Sequence, residues 1–169
     1  MLNLFIPGLL LTLSSLSVAD APDGNHYYIT GKIAEYTQAF DRCNQIARAR
    51  SLPGEQIMAK LTRFSQHEIE RFLMSKAALL RQECEKTELM ELAYAILITE
   101  TDELQQQTRE AISAIKVLAF SGDIRKFQAI YQSVPTEIRQ TLEGTDYFGR
   151  PFDDRKILRR IGNSSPLRK

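Results

Sequence analysis

Lys76-Ala77-Ala78-Leu79-Leu80-Arg81-Gln82-Glu83 decides the fold. These eight residues are strong helix formers, and they lie inside a run of 67 residues, Glu55 to Ser121, that contains neither Gly nor Pro. Without the two strongest helix breakers, and with so many unbranched side chains, strand is hard to place anywhere in that run. It is too long for one ordinary globular helix, so it must contain internal stops. Ser65 and Glu68 form the best one: the spacing fits a capping box, in which each side chain satisfies the other residue's free backbone N–H. Thr99 with Asp102 is a weaker analogue, and a break is also expected near Thr87. The expected helices are about 26–50, 55–64, 66–86, 88–99 and 101–121.

Periodicity says how these helices bury themselves. Ile29, Ile33, Tyr36, Phe40, Cys43 and Ala47 recur at steps of four and three, which places them along one face of a helix. Ile69, Leu73, Ala77, Leu80 and Cys84 form a second stripe. Leu104, Ala111, Ile115 and Leu118 form a third, with Thr108 as its polar member. Three amphipathic helices cannot each bury a stripe alone, so they should pack on one another. Beyond Gly122, Asp123 is placed to cap a short helix. Pro135 opens another that Gly144 ends, and Asp153 is placed to cap a last one carrying Ile157, Leu158 and Ile161. The hairpin around Pro135 resembles one unit of a tetratricopeptide-type array, but no second copy follows at a fixed period. The fold class is all-α: a single helical bundle of about five to seven helices, with one disulfide.

Met1 to Ala19 reads as an export signal. An apolar stretch from Leu4 to Leu16 leads into Ser17-Val18-Ala19, with small side chains where signal peptidase needs them. The run is shorter than the roughly 20 apolar residues of a membrane span. It departs from the usual pattern in lacking Lys or Arg ahead of the apolar run. The expected organisation is a signal peptide at 1–19, a bundle domain at 20–149 and a basic C-terminal segment at 150–169 whose end, Gly162 to Lys169, is mobile. Export to the periplasm or medium implies an oxidising compartment, in which the chain's two cysteines, Cys43 and Cys84, should pair. They lie on stripes of helices expected to be neighbours, and no Cys-x-x-Cys spacing points to redox exchange.

Charge is nearly balanced overall, with 22 basic and 21 acidic side chains, so global charge recruits neither nucleic acid nor membrane. Its distribution is uneven. Residues 150–169 carry 7 basic and 2 acidic side chains, whereas Glu83 to Glu110 carries eight acidic and two basic. Arg155, Lys156, Arg159 and Arg160 lie beside Ile157, Leu158 and Ile161 as a short basic amphipathic segment. It can meet a partner, a lipid surface or the acidic body of its own molecule. Asn163-Ser164-Ser165 formally matches a glycosylation acceptor.

Motifs for catalysis are sparse. His26 and His67 are the only histidines. His67-Glu68 opens like a zinc-protease helix, but Arg71 stands where the second His is required. No nucleophile elbow, phosphate loop or calcium loop occurs. No catalytic residue, metal ligand or cofactor is assigned. Glu35, Glu68, Glu70 and Glu143 are the carboxylates that an alternative reading, a small helical envelope enzyme, would draw upon. The favoured expectation is a non-catalytic exported protein acting through protein–protein contact, such as an adaptor, inhibitor, immunity-type or chaperone-like protein. A lipid-surface role for the basic tail is the other alternative. Contact candidates are Tyr147, Phe148 and Phe152, with Arg155, Lys156, Arg159 and Arg160. The three aromatics either plug the bundle end or anchor a partner, and the plug is the more economical placement for so much aromatic area.

Overall fold

A computed structural model describes residues 24–99, 106–120 and 124–164. Among the described residues there are seven α-helices and one 3-10 turn, and no strand. They are α1 (Gly24–Ala49), α2 (Glu55–Leu61), α3 (Gln66–Thr99), α4 (Gln106–Phe120), α5 (Ile124–Gln132), α6 (Thr136–Glu143) and α7 (Asp154–Ser164), with the turn at Asp146–Gly149 before α7. The signal-like segment lies outside the described residues, as do Leu104, Asp102, Asp123 and residues 165–169.

The spine is an antiparallel pair, α1 against α3. Lys32 Nζ bonds Glu91 at 2.7 Å and Arg42 Nη2 bonds Glu88 at 2.7 Å, while Cys43 and Cys84 are disulfide-bonded with their Cα atoms 6.1 Å apart. The break expected near Thr87 does not exist, because α3 runs unbroken for 34 residues, about 51 Å at 1.5 Å per residue. Thr87 faces solvent. There a β-branched residue costs only a few tenths of a kcal/mol in propensity, and the ties to α1 at Cys84, Glu88 and Glu91 bracket it. The capping box forms as the spacing predicts: Ser65 N–H donates to Glu68 Oε2 and Glu68 N–H to Ser65 Oγ, each at 3.3 Å. The expected partner of Thr99, Asp102, lies outside the described residues. Thr99 ends α3 with its hydroxyl donating back to Ala95 O at 2.8 Å.

Two cores sit at opposite ends of the spine. One joins Ile29 and Tyr36 of α1 to Leu92, Ala95 and Ile96 of α3 and Ile112 of α4. Beside it, buried Thr108 shares a 2.5 Å hydrogen bond with His26 Nδ1. The other joins Ile69, Phe72, Leu73 and Ala77 of α3 to Leu61, Tyr131, Val134, Ile138, Leu142, Phe148, Phe152 and Ile157. Pro135 proves to be the N-cap of α6, one place earlier than its first turn. Asp153 does cap α7, its Oδ1 accepting from Lys156 N–H at 3.0 Å. α7 continues to Ser164, so Gly162, Asn163 and Ser164 are helical.

Candidate functional site

The aromatic turn is built into the second core. Phe148 and Phe152 are each 1% exposed, and the Phe148 ring stands edge-on to Phe72, Tyr147 and Phe152 at centroid distances of 5.3, 5.2 and 5.2 Å. Tyr147, half-buried, donates its hydroxyl to Ser51 O at 2.9 Å and lies under the Arg50 guanidinium at 4.2 Å. Burial holds its phenol above the ordinary value, against the opposing pull of Arg50. Arg50 also donates to the carbonyl of Arg150 at 2.8 Å. Lys156 Nζ donates to Arg50 O at 3.0 Å, a cation at the carbonyl end of α1. Tyr147 and Lys156 thus fasten the end of α1 to the C-terminal turn and helix, while Phe148 and Phe152 seat that turn in the core beside Phe72 of α3.

The remaining basic residues of α7 divide between two depressions. Arg160 and Ile161 meet Leu52, Pro53, Met58 and Thr62 around a shallow hollow of about 380 Å³. Arg155 and Arg159, one helical turn apart, line a larger groove of about 740 Å³ with Leu158. Its other bank comes from α1 (Phe40, Asn44, Ala47, Arg48) and α3 (Met74, Ala77, Ala78, Arg81), with Phe127 of α5, Phe152, Asp153 and Asp154 completing it. At its floor the spine carries the buried Ala47 and Ala77 and the partly exposed Ala78, where a larger side chain would fill the space.

Its electrostatics are one-sided. Four guanidinium groups, Arg48, Arg81, Arg155 and Arg159, line it against two carboxylates. Asp153 is occupied as the cap of α7. Asp154 is held above the ordinary carboxylate range by burial, partly offset by backbone N–H donors and Arg81. Among the described residues no hydrogen bond or ion pair joins any of the four guanidinium groups to another side chain, and the buried Arg81 Nε has no acceptor. Arginine forks left without acceptors beside an apolar floor are suited to carboxylate or phosphate, which they bind bidentately.

Sequence reasoning named Phe152, Arg155 and Arg159 but missed Arg48, Arg81, Met74 and Phe127, which come from three other helices. It also missed Glu85, which is 7% exposed with one carboxylate oxygen lacking a hydrogen-bond partner. The signal was present: continuing the α3 stripe from Ala77 by fours passes through Arg81 and Glu85. Burial raises the Glu85 carboxyl, which Arg81 lowers in part, and burial together with the Glu85 charge pushes the Tyr36 phenol up to about 12. The four carboxylates noted from sequence each have a structural partner. Glu35 pairs with Lys32, Glu68 closes the capping box, Glu70 accepts from Gln66, and Glu143 accepts from Tyr131 and Lys76.

The acidic stretch is engaged with α1 through Arg42 and Lys32, and the Arg42 hydrogen bond holds Glu88 below the ordinary carboxylate range. Beside it Met90, Tyr94 and Leu97 form an exposed apolar ridge on α3. Among the described residues no three His, Cys, Asp or Glu side chains are grouped to hold a metal ion, and no helix is long and apolar enough to cross a membrane. No protein-family model, curated protein or solved structure matches this chain.

Proposed function

We propose that this is an exported, periplasmic or secreted, protein that acts without catalysis by holding a partner protein in the groove between the α1–α3 spine and α7. The observation that carries the proposal is the set of four guanidinium groups without internal acceptors around an apolar floor. Of these donors Arg81 Nε is buried without a partner, while the exposed Arg48, Arg155 and Arg159 are open to an incoming acceptor, and Arg is enriched where binding energy is concentrated. The Cys43–Cys84 bridge supports the compartment, since disulfides persist where thiols are not kept reduced.

Two measurements test it. N-terminal sequencing of the exported form should give Asp20 as the first residue, and a mature chain starting at Met1 would remove the compartment argument. Affinity capture from the native envelope or medium should recover a protein with the wild-type chain and lose it with Arg155→Glu/Arg159→Glu. Both positions are exposed, so the pair should fold as the wild type does. Recovery of the same proteins by both chains would refute the groove as the binding face.

A further inference from the structure

We infer that the occupant of this groove is an amphipathic helix of the partner that carries a row of carboxylates beside its apolar face. The inference rests on the proposed binding role and adds the chemistry of what is bound. The charge is spread along the groove: Arg155 and Arg159 are one turn apart on α7, and Arg48 and Arg81 come from α1 and α3. A single anionic headgroup calls for donors gathered at one point, whereas a helix with carboxylates one turn apart presents acceptors at the spacing of Arg155 and Arg159. The floor fits the same occupant. Ala78, partly exposed between buried Ala47 and Ala77, leaves room at the floor, while Met74, Phe127 and Leu158 offer apolar contact along the occupant's length. Met is exposed here, and its unbranched thioether adapts to more than one apolar ridge. Helix-in-groove docking through apolar residues at i, i+3, i+4 and i+7 is the matching recognition mode. Asp153 and Asp154 leave the groove with a net charge of about +2 at neutral pH, so specificity comes from apolar register together with charge.

The test uses the oxidised mature chain and a fluorescein-labelled helical peptide with Leu at helical spacing flanked by Glu. Three further probes are a shuffled peptide of the same composition, the same peptide with Lys for Glu, and anionic phosphatidylglycerol vesicles. Anisotropy should show saturable binding of the ordered acidic peptide that weakens with salt. The shuffled and Lys peptides should bind at least tenfold more weakly. Arg155→Glu/Arg159→Glu should weaken binding by tenfold or more. Ala78→Phe, which fills the floor and keeps every charge, should do the same. Both variants are compared at wild-type melting temperature, and Ala78→Leu replaces Ala78→Phe if the larger ring destabilises the chain. Equal binding of ordered and shuffled peptides, or indifference to the floor substitution, would mean that surface charge alone attracts the peptide, and the inference falls. Binding to vesicles in place of peptide overturns it too. If no peptide binds but arginine-dependent capture of a protein persists, the helical occupant is wrong and the binding role stands; if capture is also indifferent to the arginines, both fall.

Discussion

Replacing Phe148 with Ala should bring the chain close to unfolding. The side chain is 1% exposed and its ring meets three other rings edge-on within 5.3 Å. Truncating a buried Phe to Ala costs about 3–5 kcal/mol through lost transfer energy and the cavity left behind. Each edge-to-face pair is worth a further 0.5–1.5 kcal/mol or so when isolated. Three pairs sharing one ring do not add, so the expected loss is about 4–5 kcal/mol, near the top of the truncation range. Against a total stability of about 5–15 kcal/mol, that is about a quarter of the whole or more. For a chain of this length it should lower the melting temperature by roughly 10–20 °C. Urea unfolding followed by far-UV circular dichroism measures it, with a fall in midpoint at constant slope as the signature. Phe148→Leu, which keeps most of the volume, should cost about 1.5 kcal/mol or less. A loss below about 1 kcal/mol for Phe148→Ala would mean that the aromatic turn does not close this end of the bundle. The contact role for Phe148 and Phe152 would then regain its footing.

Three other outcomes follow from named contacts. Cys43→Ser/Cys84→Ser opens a loop of about 42 residues, so equilibrium unfolding should show a loss of about 4 kcal/mol on the chain-entropy relation; two freely alkylated thiols in the native protein would remove the expectation. The Glu85 carboxyl is raised on folding, so this group's contribution to stability is greatest below the ordinary carboxylate range and falls as pH rises through its folded value. Glu85→Gln should flatten that slope and raise stability at pH 7 by about 1 kcal/mol, and parallel pH profiles for the two proteins would contradict the burial argument. Ser65→Ala removes one half of the capping box and should cost about 1 kcal/mol in thermal unfolding, with no change meaning that α3 is held by packing alone.

What was legible in the sequence divides along the range of the forces involved. Local signals were readable: Ser65 with Glu68, Asp153 ahead of α7, and the Ile29-to-Ala47 stripe all act within a few residues, and the backbone obeys them. The disulfide was legible because compartment and stripe phase agreed on one pairing. Thr87 misled because a weak local preference was set against ties that α3 makes to a distant segment, Cys84 to Cys43 and Glu88 to Arg42. The groove was the least legible part. Arg48, Arg81, Phe127 and Arg155 stand far apart in the chain, and nothing local marks them as facing the same space. The four basic residues of α7 looked equivalent as a charge run. Tertiary contacts separated them, turning Lys156 to a carbonyl of Arg50, Arg160 toward α2, and only Arg155 and Arg159 to the groove.

The position of the disulfide relates the fold to the proposed binding role. Cys43 immediately precedes Asn44 on one bank of the groove, and Cys84 lies three residues, about one turn, beyond Arg81 on the other. Alanines at the floor weaken the apolar contact that would otherwise hold α1 and α3 at a fixed spacing there, since a small side chain contributes little buried area. At the far end of the spine Ile29, Tyr36, Leu92 and Ile96 supply that contact; at the groove a covalent tie replaces it. A site held open by such a tie meets its ligand with little ordering left to do, which raises affinity by lowering the entropic cost of binding. If the groove binds as proposed, the bridge holds its α1 bank, near the C-terminal end of that helix, against its α3 bank with the rigidity that recognition needs.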